Sequence, residues 1–104
     1  MIQCPTTLSV LLLALGVASA PVEGADVVKG RKIFAQHCAG CHGAGGVPVM
    51  PGAPNLTRPE ATMRPDGALA AAIRNGRATM PGFRGLLQES EVYDVIAFMR
   101  TLLR

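Results

Sequence analysis

The sequence predicts an all-α domain. Apolar residues recur at helical spacing in three stretches, within 26–37, 66–76 and 89–103. No stretch alternates apolar and polar residues with β-branched enrichment, so no sheet is expected. The interval from Gly43 to Pro65 holds four glycines and five prolines, a composition that suits neither a helix nor a central strand. No internal repeat is present.

Residues 1–24 read as a secretory leader. An apolar run over 8–17, too short to span a bilayer, is followed by small residues and then polar sequence. A cut after Ala20 would leave Pro21 beside the scissile bond, so a cut after Gly24 is preferred. Positions 1–9 contain no Lys or Arg, which keeps an uncleaved membrane anchor as the competing reading. The domain is then 25–104, placed in the periplasm or another extracytoplasmic compartment, and it meets a membrane only if the leader is retained.

In 26–37, Asp26 is a good N-cap, and Val27, Gly30, Ile33 and Phe34 fall at helical spacing. A glycine in a helix interior costs about 1 kcal/mol relative to alanine, so Gly30 suggests the close approach of another helix. The long Gly/Pro interval follows; a loop of that length in a compact domain is expected to wrap a ligand or serve a function. Asp66 is read as the cap of a second helix, with Leu69, Ala72 and Ile73 on one face and Asn75-Gly76 as its stop. A second loop over 77–87 carries Met80-Pro81-Gly82-Phe83. From Glu89, the residues Val92, Val95, Ile96, Met99, Leu102 and Leu103 form an apolar stripe expected to run to the C-terminus. Either Gln88, with Glu91 in a capping box, or Ser90 can cap this helix.

A domain of about 80 residues buries only about 60% of its unfolded surface and usually needs a staple. Of the three cysteines, Cys4 lies in the leader, and a Cys38–Cys41 bridge would close too short a loop to restrict the unfolded chain much. All ten Lys and Arg follow residue 24, while only six of the seven acidic residues do, so the mature domain is basic. Such a surface favours encounter with partners that carry acidic docking surfaces. Nucleic acid is disfavoured as a partner, because the basic residues are scattered and no aromatic platform accompanies them.

Cys38-Ala39-Gly40-Cys41-His42 is the Cys-x-x-Cys-His pattern of covalent haem attachment. Two thiols three positions apart can add to the two vinyl groups of one porphyrin, and the adjoining His42 can then ligate the iron. A thioredoxin-like pair would follow a strand in a βαβ unit, which is lacking here. A zinc site would need a second Cys/His pair, and a plain disulfide would leave His42 unexplained.

With this motif the chain resembles the class I monohaem c-type cytochromes over nearly all of 25–104. Gly30 and Phe34 match the point where that family's first helix crosses its last, and Phe98 in DVIAFMRTL matches the aromatic partner. The segment APNL, 53–56, is similar to the family's Gly-Pro-x-Leu loop, with Ala53 in place of the usual glycine. The resemblance implies that the Pro54 carbonyl accepts a hydrogen bond from the His42 imidazole. It also implies a cytochrome c-like helical domain wrapped around one covalent haem c, held by Cys38 and Cys41, with His42 as proximal ligand.

Four methionines are candidates for the distal position. Met99 falls on the apolar face of the last helix, Met50 lies only eight residues from His42, and Met63 sits beside Arg64-Pro65. RNGRATMPGF, 74–83, resembles the family's ligand loop and implies Met80. Arg58, Arg64, Arg74, Arg77 and Arg84 are candidates to pair with haem propionates, and the sequence does not select among them. His37 reads as a helix-end or surface residue. The expected function is a single-electron carrier that turns over no substrate; a cytochrome subunit of one oxidoreductase, or a sensor or enzyme with an open iron site, are the competing functions.

Overall fold

A computed structural model of the chain describes residues 24–104 and positions 2, 3, 9, 11 and 16. The expected leader, apart from those positions and Gly24, lies outside the described residues. Five helices follow in order: α1 (Val27–His37), α2 (Ala39–His42), α3 (Pro59–Thr62), α4 (Asp66–Asn75) and α5 (Glu89–Arg100). Among the described residues there is no strand, only isolated bridges between Arg77 and Met80 and between Arg84 and Leu87. None of the described helices is long and apolar enough to cross a membrane.

The frame is the pairing of α1 with α5. The Asp26 side chain accepts the Lys29 N–H at 3.0 Å and so fixes where α1 begins. At the other element a capping box forms: Gln88 accepts from the Glu91 backbone, and the Gln88 N–H donates to the Glu91 carboxylate at 3.0 Å. Gln88 therefore wins over Ser90, because only from Gln88 can Glu91 return the bond. Gly30, Ile33 and Phe34 of α1 are buried, as are Val92, Val95, Ile96 and Phe98 of α5. The Phe34 and Phe98 rings meet at 5.2 Å between centroids and 59° between planes, a tilted packing that suits aromatic quadrupoles.

Three details depart from the sequence reading. Pro65, with its φ of −55°, occupies the cap of α4, and Asp66 is its first helical residue. From there the Asp66 carboxylate pairs with Arg100 of α5, while Arg74 pairs with Glu89, so two ion pairs tie α4 to α5. The interval read as loop contains one helical turn, α3, opened by Pro59 at a position where the missing N–H costs nothing. Finally, α5 stops at Arg100, where the Thr101 hydroxyl donates to the Phe98 carbonyl at 2.6 Å and competes with continued helix. Leu102 and Leu103 remain half-buried beyond it, and the Arg104 N–H reaches the Thr57 carbonyl at 3.0 Å.

The rest of the Gly/Pro interval is ordered by backbone bonds. The Val49 and Met50 N–H groups both donate to the Cys41 carbonyl, at 3.0 and 3.1 Å, and the Leu56 N–H donates to Gly46 at 2.9 Å. Gly43, with φ +80°, makes the turn out of α2, and a side chain there would meet the Val47 carbonyl oxygen at 1.9 Å. The loop is thus folded back on the short helix that carries His42.

Candidate functional site

Between α1, α2, the 43–58 loop, α4 and the 77–83 loop lies a cavity of about 680 Å³. Its wall is largely apolar: Phe34 from α1, Leu56 from the loop, Leu69 and Ile73 from α4, Phe83 and Met99. Cys38, Cys41, His42, Pro54 and Met80 all line it. Five separate segments thus bring the residues singled out in the sequence to one space.

The geometry of His42 is specific. It is buried at 9% exposure, and its Nδ1 lies 3.1 Å from the Pro54 carbonyl oxygen. A carbonyl only accepts, so Nδ1 carries the proton and the Nε2 lone pair is left for a metal. Holding the ring by such a bond also raises its basicity as a ligand. Ala53, where the related loop has glycine, lies outside the left-handed region; among the described non-glycine residues only Ala78 enters it, at φ 53°. The backbone path at 53 therefore does not require glycine.

Cys38 and Cys41 are free thiols, the first half-buried and the second exposed. Burial, and then the neighbouring Cys41, push the Cys38 thiol up to about 11. Among the described residues no three His, Cys, Asp or Glu side chains converge to hold a bare metal ion.

The loop that presents Met80 is built on the end of α4. The Phe83 and Arg84 N–H groups donate to the Ile73 and Arg74 carbonyls at 2.9 and 3.1 Å, satisfying acceptors that the helix end leaves free. Arg77 and Met80 exchange both backbone bonds, at 2.9 and 3.1 Å, and close a tight turn through Ala78. Gly76 and Gly82 face each other across the base of the loop: a Cβ on Gly76 would fall 2.6 Å from the Gly82 nitrogen, and one on Gly82 would fall 2.8 Å from the Arg74 oxygen. Met80 thereby enters the cavity half-buried on a short loop tied at both ends.

The other methionines separate by position. Met99 is in the core, also at the cavity wall; Met50 reaches the cavity rim but is tethered through its N–H to Cys41; Met63 is 64% exposed and does not line the cavity. The arginines separate too. Arg74 pairs with Glu89 and Arg84 donates to Asn75 at 2.8 Å, whereas Arg58, Arg64 and Arg77 line the cavity with no carboxylate partner among the described residues. His37 ends α1, exposed, with its ring edge-on to Phe83 at 5.7 Å. Sequence reasoning missed Phe83 and the glycine pair at 76 and 82. The only available signal was their place beside Met80.

A flat, apolar macrocycle with two anionic arms fits this donor set. Two thiols stand at the rim, a tautomer-fixed imidazole and a thioether line the space from different segments, and three arginines stand at the edge.

Residues 25–99 match the family described as cytochrome c oxidase, cbb3-type, subunit III. The cytochrome c6 of Nostoc sp. is 35% identical over 97 residues, covering 85% of this chain and 86% of the relative. That of a Synechococcus sp. strain is 34% identical over 102 residues, covering 90% and 89%. Among solved structures, the c-type cytochrome KustC0563 superposes with a TM-score of 0.67 at 27% identity, over 72% of this chain and 98% of its own. Cytochrome c6 from the diatom Phaeodactylum tricornutum does so with 0.63 at 30% identity, over 73% and 92%. Helical fold, attachment motif, oriented imidazole and these relatives agree, and the chain belongs to the class I monohaem c-type cytochromes.

Proposed function

We propose that this cytochrome is an exported, freely diffusing carrier in which His42 and Met80 would ligate the iron and Cys38 and Cys41 would be the points of attachment. The single observation that carries this reading is the convergence of the oriented His42 imidazole and the loop-borne Met80 thioether on one apolar cavity. Covalent haem c supplies an iron that cycles between ferrous and ferric states.

The chain's own residues determine how that cycle runs. The Pro54 carbonyl holds the His42 ring in one tautomer and one orientation. The Gly76–Gly82 contact holds the Met80 loop against the cavity, where the thioether would be kept in place for the iron. Phe34, Leu69, Ile73 and Phe83 exclude water from the wall. Arg58, Arg64 and Arg77 would hold the propionates, because Arg74 and Arg84 are engaged elsewhere. The excess of Lys and Arg over Asp and Glu after residue 24 supports partners with acidic docking surfaces.

The leader over 1–24 supports an extracytoplasmic location after cleavage, with 25–104 as the mature domain. A second reading, a dedicated subunit of one oxidoreductase, is favoured by the matched family's description as a cytochrome c oxidase subunit. Purification from the exporting cell, followed by voltammetry and carbon monoxide exposure of the reduced protein, tests the proposal. A carrier runs alone on size exclusion, gives a reversible one-electron wave and keeps its spectrum under carbon monoxide. Stoichiometric co-purification with an oxidoreductase supports the subunit; a spectrum that shifts under carbon monoxide supports an open site.

A further inference from the structure

We propose that removal of the leader creates a structural ion pair: the α-ammonium of Ala25, released by cleavage of the Gly24–Ala25 bond, is held by the carboxylate of Asp94. The inference rests on cleavage after Gly24. The step is a hydrolysis by a leader peptidase: water adds across the amide, Gly24 departs with the leader as a carboxylate, and the Ala25 nitrogen becomes an amine that takes up a proton.

Asp94 is the buried charge of the α1–α5 crossing. It is 7% exposed, and its Oδ1 accepts the backbone N–H of Asp26 at 2.8 Å. One neutral N–H is a thin partner for a carboxylate taken out of water. Among the described residues no cation lies within ion-pair distance of it.

Beside the carboxylate is a cavity of about 450 Å³, where Gly24 and Ala25 of the incoming chain meet the cap residue Asp26, Lys29 of α1, and Ser90, Tyr93 and Asp94 of α5. Consecutive backbone nitrogens are at most about 3.6 Å apart. The Ala25 nitrogen therefore lies at most about 6.5 Å from the Asp94 oxygen, and a small turn of the chain end brings it within the roughly 4–6 Å over which opposite charges favour each other's ionised forms.

In the precursor that nitrogen is an uncharged amide with a single hydrogen. After cleavage it has a full charge and three donors. The start of α1 presents its own partial positive charge and opposes an ammonium there. Asp26 and Asp94 on one side, against Lys29 on the other, leave the cavity with a net negative charge that outweighs this, and Tyr93 is the remaining titratable group facing it.

The pH dependence follows from the sign. Pairing raises the folded-state pKa of the amine above its free value of about 7.7–8.0. The stabilisation is then fully present below about pH 8 and is lost as pH rises through the folded pKa.

The test uses holoprotein purified from an exporting host, with its N-terminus read by mass spectrometry and its α-amine titrated by nitrogen-15 NMR. The expected result is an N-terminus at Ala25 and an amine that titrates about one pH unit above a free α-amine, a tenfold gain in proton affinity. Asp94→Asn, which keeps an oxygen to accept the Asp26 N–H, should return the amine to the free range, and Glu60→Gln should leave it raised. A form prepared to begin at Val22, which keeps a primary amine but moves it three residues before Ala25, should titrate near the free value even if Asp94→Asn does not fold. A mature protein that begins at Pro21 or keeps Met1 overturns the proposal by removing the cleavage it rests on. With Ala25 at the terminus, an amine that titrates in the free range, or equally high in Asp94→Asn or in the longer form, overturns the ion pair itself.

Discussion

Gly30 lies against the backbone of Asp94, so close that a Cβ on Gly30 would fall 2.0 Å from the Asp94 carbonyl oxygen. The first and last helices cross at backbone contact, and α1 leads directly into the short helix that carries His42. Gly30→Ala forces the helices apart. Overpacking of this kind costs about 1–3 kcal/mol, so thermal denaturation of the holoprotein should show a clear fall in Tm without loss of haem. Gly45→Ala, at a position with nothing within 4 Å, should leave Tm nearly unchanged.

A domain this small with a cavity of about 680 Å³ at its centre has too little apolar contact to fold around empty space. The double change Cys38→Ala and Cys41→Ala should leave a largely unfolded chain by far-UV circular dichroism. In the unaltered holoprotein, acid-acetone extraction should leave the haem on the chain. Cooperative melting of the double variant would contradict the first expectation, and haem in the extract the second.

Position sorts the arginines. Arg58→Gln, Arg64→Gln and Arg77→Gln each remove a positive charge from the cavity edge and should shift the reduction potential and its pH dependence. Arg74→Gln and Arg84→Gln should act weakly on stability instead, because solvent screens their surface pairings. Voltammetry across pH, beside Tm, separates the two groups.

Gly82→Ala places a methyl group 2.8 Å from the Arg74 oxygen at the base of the Met80 loop. The loop must open, so Met80 should bind more weakly while the core stays folded. Cyanide should bind the ferric protein at least about tenfold faster than it binds the unaltered protein, a factor that about 1.4 kcal/mol of lost loop stability would supply. An unchanged cyanide rate would show that the glycine pair does not hold the ligand loop.

Much of this molecule was legible in its residues. Asp26 and the Gln88/Glu91 pair are local signals, readable because capping depends on atoms within four positions. Gly30 was legible as a close approach, since a glycine inside an apolar helical stripe is costly without one. The turn of α3 was hidden by the Gly and Pro around it, although Pro59 suits a first helical position. Asp66 was read as a cap from its chemistry, yet Pro65 takes that place and Asp66 serves an ion pair to Arg100, a partner 34 positions away. The division of the arginines, the contact between Gly76 and Gly82 and the fixed tautomer of His42 depend on distances between segments, which no local pattern encodes.

The central claim is that His42 and Met80 together hold the iron, and the ferric absorption spectrum of the purified holoprotein tests it most directly. The unaltered protein should show a sulfur-to-iron charge-transfer band. Met80→Ala should abolish the band, lower the reduction potential and let the reduced iron bind carbon monoxide, while Met50→Ala, Met63→Ala and Met99→Ala should keep the band. A band that survives Met80→Ala but disappears in Met63→Ala or Met50→Ala, or an unaltered protein with no band at all, would contradict the account.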